Sequence, residues 1–214
     1  MGLFAGAKVS SFPLKTIQVK LKEPFYQRPQ VDKIARDLLG KVLVSRINNS
    51  LTSGIIVETE AYSYKERGCH AYNNLRTART EILFGKGGLV YVYLCYGIHH
   101  LFNIVTNKEG RAEAVLVRAL EPLDGSDLML QRSHYKHIHR ITSGPGKLTK
   151  ALGIDRTSNG KLLTGDDVWV EDRGMKVAKN KVIVAKRIGI DYAGEDALLP
   201  WRFYVKGNPW VSRA

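Results

Sequence analysis

The sequence predicts an α+β fold, a single mixed domain with a curved, mostly antiparallel sheet and flanking helices. Three observations predict it. Short runs rich in aromatic and β-branched residues follow one another at turn-length spacing, as successive hairpins do. Helical periodicity is confined to a few stretches. No internal repeat or linker divides the 214 residues, a length that buries one full core.

Residues 1–22 carry Lys8, Lys15, Lys20 and Lys22 and no acid, which reads as a basic, partly flexible arm preceding a domain over residues 23–214. Val31, Ile34, Ala35, Leu38 and Leu39 mark one face of a helix that Gly40 stops. Residues 41–47 and 55–62 read as strands joined through the turn cluster Asn48-Asn49-Ser50. Residues 63–80 are polar and irregular. Strands are expected at 89–95 and 98–106 around a Tyr96-Gly97 turn, and at 112–120 after a second turn at 107–110. Residues 124–140 read as a helix that grows basic towards its end, and Ser143-Gly-Pro-Gly146 as a loop opening a short helix at 147–152. A loop at 155–161, strands at 168–171 and 182–188, and an aromatic-rich closing segment at 201–212 complete the chain.

The net charge of +13 favours a polyanionic partner through counterion release and steering; a solubility charge is the plainer alternative. Cys69 and Cys95 sit in unlike contexts, giving neither a disulfide framework nor a zinc signature, so a reducing intracellular compartment is expected. The longest apolar run, 89–98, is too short to span a bilayer. No membrane association is expected.

Glu58-Thr-Glu60-Ala-Tyr62 closes a strand whose start is apolar. Alternation puts Glu58, Glu60 and Tyr62 on one face, and Val57, Thr59 and Ala61 on the other. A solvated outer face would explain two carboxylates there, but Arg118 supplies a different context. It lies in Ala114-Val-Leu-Val-Arg118-Ala-Leu120, whose neighbours demand burial, and a buried arginine must pair with an acid or line a functional cavity. Either glutamate serves as its partner. A carboxylate held beside an arginine stays ionised near neutral pH, which suits activation of water or a counter-charge for a cationic transition state.

Tyr91 and Tyr93 share a face, and Tyr96 projects from the tip before Gly97. Aromatics near basic residues suit nucleobase stacking, and one at a tip suits a wedge between base pairs; core tyrosines are the plainer reading, above all for Tyr91. Arg76, Thr77 and Arg79, which follow Cys69-His70-Ala-Tyr72, have the chemistry of phosphate contacts. His134, His137 and His139 lie among cations with no acid or cysteine beside them, so no metal is expected. Ser143-Gly-Pro-Gly-Lys147 lacks the nucleotide-triphosphate loop pattern, although a helix start beside Lys147 can hold a backbone phosphate.

Taken together, Ala35-Arg-Asp-Leu-Leu-Gly-Lys-Val-Leu43, Val57-Glu-Thr-Glu-Ala-Tyr62, Tyr91-Val-Tyr93 with Tyr96-Gly97, Arg118-Ala-Leu-Glu-Pro122, Ser143-Gly-Pro145, and Arg202-Phe-Tyr-Val205 with Pro209-Trp-Val-Ser212 resemble the alkyladenine (3-methyladenine) DNA glycosylase family, in order from about residue 25 to residue 212. The resemblance implies an enzyme that flips a damaged purine from double-stranded DNA and hydrolyses its N-glycosidic bond, with no cofactor, acting as a monomer. It implies Glu60 as the base that activates water, with Arg118 positioning it. Tyr62, His70 and Tyr93 become walls of the base pocket, Asn103 a selectivity gate at its floor, and Tyr96 the wedge. No lysine stands where the family pattern would place a Schiff-base nucleophile, so hydrolysis is monofunctional. The rival is a non-enzymatic nucleic-acid-binding protein, from which a buried acid paired with Arg118 distinguishes an enzyme.

Overall fold

A computed structural model describes residues 18–135 and 138–213. Strand β1 (Val19–Lys20) leads to the short helices α1 (Glu23–Tyr26) and α2 (Val31–Asp37), then to β2 (Val42–Ile47) and the long β3 (Ser50–Ser63). Next come β4 (Val90–Cys95), β5 (His99–Thr106) and β6 (Glu113–Pro122), helices α3 (Ser126–Ser133) and α4 (Pro145–Leu152), and finally β7 (Val168–Asp172), β8 (Val182–Ala185) and β9 (Arg202–Val205). These strands form one curled sheet in the order β1-β7-β2-β3-β6-β5-β4, with β9 joining β3 and β8 joining β9. Every pairing is antiparallel. The predicted α+β class with helices flanking an antiparallel sheet is what forms. Of the predicted basic arm, residues 1–17 lie outside the described residues; Val19 and Lys20 pair with Asp172 and Glu171.

Helix α2 forms where the periodicity placed it, and Val31, Ile34 and Ala35 face inward. Asn48 and Asn49 both take positive φ, which asparagine tolerates, and so close the β2–β3 hairpin. The second half of β3 is unusual. Its first half pairs with β2, whereas Glu58, Thr59 and Glu60 pair with Tyr204, Phe203 and Arg202 of β9. The sheet branches there, and the register against β6 is irregular on both sides of Glu58. Strict alternation therefore fails at this point. Ile56 and Ala61 share the main core cluster, while Val57 packs with Ile55 in another, so Val57 does not lie with Thr59 and Ala61 as expected.

Three further expectations are corrected. The helix foreseen over 124–140 ends at Ser133, because His134 adopts a left-handed φ of 57° that no helix continues. Of the histidines in that segment, His137 lies outside the described residues. Helix α4 starts at Pro145, two residues before the predicted start: Gly144 caps it at φ 147° and proline favours the first helical turn. Strand β8 ends at Ala185, and Lys186 to Ile190 is a loop that matters for the site.

The main core lies between α2, α4 and one face of β3 to β7, with Ile34, Phe102, Ile104, Val117 and Leu148 fully buried. Side chains of β3 to β6 on the other face are left to line a cavity. Among the described residues no helix is long and apolar enough to cross a membrane. Gly87 fixes the start of β4 against α1: a Cβ there would stand 2.6 Å from the Tyr26 carbonyl oxygen and 2.8 Å from that of Asn107. Gly87→Ala is therefore expected to cost about 1–3 kcal/mol, which in a chain of this size lowers Tm by roughly 2–12 °C. Thermal unfolding followed by circular dichroism checks this, and an unchanged Tm would mean that the loop moves away freely.

Candidate active site

Arg118, on β6, is buried in the sheet and must be neutralised from within it. Its Nη1 donates to Glu60 Oε2 at 3.1 Å, and its Nε lies 3.4 Å from Glu58 Oε1. Both glutamates are fully buried. Burial opposes the charge on Arg118, but the two carboxylates, Glu60 first, outweigh it and raise its pKa above the ordinary value. The pairing with both acids answers the question that the sequence left open.

The two glutamates differ in their other partners. Glu58 takes Arg202 Nε at 2.6 Å, the Ser212 amide at 2.7 Å and the Ser212 hydroxyl at 2.9 Å, so β9 and the closing segment enclose it. Glu60 accepts from the Tyr62 hydroxyl at 2.8 Å, from Arg118, and from the Ile188 amide, which reaches Oε1 at 2.8 Å. Tyr62, Arg118 and Ile188 all line a cavity of about 760 Å³; Arg202 and Ser212 do not. Glu60 thus lies one layer behind the cavity wall, bonded only to groups that form it. Burial, and then the Glu60 carboxylate, push the Tyr62 hydroxyl well above its usual pKa, so it remains a donor.

The cavity brings together Tyr62, His70, Tyr93, Asn103, Tyr96 and Arg118 from the sequence-derived set, and Arg79 and Lys147 with them. His70 meets Tyr93 edge-to-face at 4.6 Å between centroids, and its Nδ1 lies 2.9 Å from the Tyr91 hydroxyl. Burial first, and the Arg79 charge second, lower the His70 pKa to about 4. Asn103 is buried; its Nδ2 donates to the carbonyls of Tyr91 and Leu101, at 3.2 and 3.3 Å, so it also ties β4 to β5. Tyr96 is 87% exposed at the tip of the β4–β5 hairpin, where Tyr96 and Gly97 both take positive φ. Beside it Ile98 is 72% exposed.

Arg76 and Thr77 stay outside the cavity. Arg76 pairs with Glu81 and stacks over Phe84, and Thr77 exchanges hydrogen bonds with Thr80 across one turn. Arg79 is exposed as they are, but it also lines the cavity, with its Nη2 3.2 Å from His70 Nε2.

Sequence reasoning missed the pair that builds the wall around Ile188. Arg187 donates to both oxygens of Glu66, at 2.8 and 2.7 Å, and to the carbonyls of Ala61 and Asp196. It also stacks 4.7 Å from the Tyr62 ring centre. The Ile188 amide is presented to Glu60 because its neighbour is fastened in this way. The partners stand 121 residues apart, so no local pattern announces them.

Residues 24–209 match the methylpurine-DNA glycosylase family. The chain belongs to that family. It is 45% identical over 204 residues to a relative from Alkaliphilus oremlandii, which covers 91% of this chain and 100% of the relative. It is 47% identical to one from Carboxydothermus hydrogenoformans (90% and 98% covered) and 46% identical to one from Methanocella arvoryzae (90% and 96% covered). Each of the three is provisionally named a 3-methyladenine DNA glycosylase. Membership of this family makes the chain a DNA glycosylase, an enzyme of base excision repair. The ordered motifs from α2 to the closing segment are those through which the sequence resembles it.

The depressed His70 pKa gives a direct test. The folded protein disfavours the proton, so the ring stays neutral through the ordinary titration range near 6.5 and takes its charge only near 4. Its imidazole ¹⁵N and ¹³C shifts should stay constant from about pH 8 to about pH 5.5. A midpoint near 6.5 would show a solvated ring outside the cavity wall.

Proposed function

We propose that this enzyme is a monofunctional glycosylase that flips alkylated or deaminated purines, of the 3-methyladenine, 7-methylguanine and hypoxanthine class, out of double-stranded DNA and hydrolyses them off. The observation that carries the reading is the partner set of Glu60. Its two oxygens offer about four acceptor positions; Tyr62 and Arg118 use Oε2, and Ile188 uses Oε1. A place on Oε1 therefore remains for a water, beside three groups that line the cavity.

In this reading Tyr62, His70 and Tyr93 receive the extruded base, and exposed Tyr96 fills its place in the duplex. The glycosidic bond breaks with the electron pair going to the purine, and the sugar becomes oxocarbenium-like. The negative Glu60 stabilises that cation and takes the proton of the water that adds to C1′. Lys147, at the start of α4, is proposed to hold a DNA phosphate. Arg76 and Thr77 stay proposed backbone contacts outside the cavity, though their present partners would have to share them. The family relatives' names support the methylated-purine part of this reading; the deaminated part rests on the pocket's neutral imidazole and aromatic walls. We also take the enzyme to act as a monomer.

Glu60→Gln should keep duplex affinity within a few-fold while single-turnover excision falls by about 10³ or more, the scale of losing a general base together with a counter-charge. Gel-shift titration and alkali cleavage of the abasic product measure the two. Full activity would sink the assignment, and loss in Glu58→Gln alone would move it.

Asn103 is proposed as the gate against guanine, whose exocyclic 2-amino group meets a side-chain amide already committed to two backbone carbonyls. Asn103→Ser should raise excision of guanine-derived bases relative to hypoxanthine by roughly five- to 150-fold, given about 1–3 kcal/mol for an unmatched polar group. The ratio of single-turnover rates reads this. An unchanged ratio with both rates lowered would make Asn103 a tie between strands and no gate.

A further inference from the structure

Arg79 is exposed, as a phosphate contact would be, but it also lines the cavity and lies against two of its walls. Its Nη2 lies 3.2 Å from His70 Nε2, and its guanidinium stands 5.0 Å from the Tyr93 ring centre. A guanidinium only donates, so Nε2 must accept and the imidazole proton sits on Nδ1, towards the Tyr91 hydroxyl. Three cations line the cavity: Arg79, Arg118 and Lys147. Arg118 is neutralised by Glu60 and Glu58, and Lys147 belongs to the start of α4. Among the described residues Arg79 forms no ion pair, and it touches two of the aromatic walls. The cavity therefore has an unneutralised positive charge at His70 and Tyr93, and the Glu60 carboxylate lies behind its wall at Tyr62 and Arg118.

We propose that Arg79 is a specificity-determining residue of the reaction, a fixed positive charge that draws the electrons of the breaking bond onto the leaving purine. The proposal rests on the reading that these walls hold the flipped base. When C1′–N breaks heterolytically, the pair goes to the purine nitrogen and the charge of the base falls by one. A cationic methylpurine becomes neutral, and a neutral hypoxanthine becomes an anion until it is protonated. The sugar gains the positive charge, water adds to C1′, and its proton goes to Glu60. A cation beside the base favours this change for both lesions. It also repels the bound base when that base is already cationic. Arg79 thus weakens binding of cationic lesions and accelerates their departure, whereas for neutral lesions it accelerates departure without the binding penalty.

The two roles open to Arg79 separate cleanly in kinetics. A phosphate contact contributes to the affinity of every duplex, damaged or not, and leaves the saturating rate alone. A charge at the leaving base does the reverse. The test uses the full chain with duplexes carrying 7-methylguanine, hypoxanthine or no lesion, comparing wild type, Arg79→Gln and Arg79→Lys at saturating enzyme and at half-saturation. Arg79→Gln should lower the saturating rate on each excised lesion by about tenfold, the scale of one charge several ångströms away in a partly screened site. It should tighten half-saturation for 7-methylguanine and leave undamaged-duplex affinity within about twofold. Arg79→Lys, which keeps the charge, should restore most of the rate. Weaker binding to all three duplexes with unchanged saturating rates would overturn the proposal in favour of a phosphate contact, and so would a wild-type rate and affinity in Arg79→Gln. Absence of excision by the wild type on both lesions would overturn the glycosylase reading itself and this proposal with it.

Discussion

An arginine inside a sheet core has to be answered by acids that are equally buried, and around Arg118 this requirement organises most of the molecule. Truncating one member of such a group strands an uncompensated charge at a cost of about 3–5 kcal/mol. Glu58 and Glu60, two residues apart on β3, both reach Arg118, and at Glu58 the sheet divides towards β9. The C-terminal segment then folds back so that the Ser212 amide and hydroxyl, with Arg202, complete Glu58. The second layer is the Arg187–Glu66 pair, which pins the loop after β8 and delivers the Ile188 amide to Glu60. Each of these devices leaves Glu58 more enclosed and Glu60 more closely tied to the cavity.

Two nearly identical acids, two residues apart, therefore come to differ by their surroundings alone. Glu58 is a structural anchor whose hydrogen bonds lead into the closing segment. Glu60 is bonded to three groups of the cavity wall. The distinction matters for chemistry because a carboxylate acts on a sugar or a water only through the space it adjoins. The walls themselves are apolar and aromatic, with few polar groups, as small-molecule sites are. Neutral His70, Tyr62 held protonated, and the buried amide of Asn103 present dipoles without free charge, which leaves the electrostatic contrast to Arg79 on the lining and Glu60 behind it.

Much of this was legible in the sequence because it is local. The periodicity from Val31 to Leu39, the Asn48-Asn49 turn and the Tyr96-Gly97 tip each follow from residue preferences over a few positions, and the hairpins in between gave the sheet its antiparallel character. The buried pairing of Arg118 was legible for a different reason: a charge among valines and leucines has few physical solutions. What could not be read were relations across long stretches of chain. Glu66 and Arg187 are ordinary surface residues by local pattern. The end of α3 depends on one left-handed residue, His134, in a segment whose composition suits a helix. The slip at Glu58 broke an alternation that the amino acids themselves do not interrupt. Arg79, beside Arg76 and Thr77 in sequence, reaches the cavity lining because His70 offers it an acceptor.

In the proposed mechanism the Glu60 carboxylate behind the cavity wall faces the cation that forms on the sugar. The most direct measurement of this arrangement compares affinity for two duplexes with an abasic-site analogue at the flipped position, one a cationic pyrrolidine ring and the other a neutral tetrahydrofuran ring. The wild-type enzyme should bind the cationic analogue at least tenfold more tightly, as an oxocarbenium mimic binds a site built for that charge, and Glu60→Gln should erase the preference while binding the neutral duplex as before. Equal affinity of the wild type for the two analogues, or a preference that survives Glu60→Gln, would contradict it.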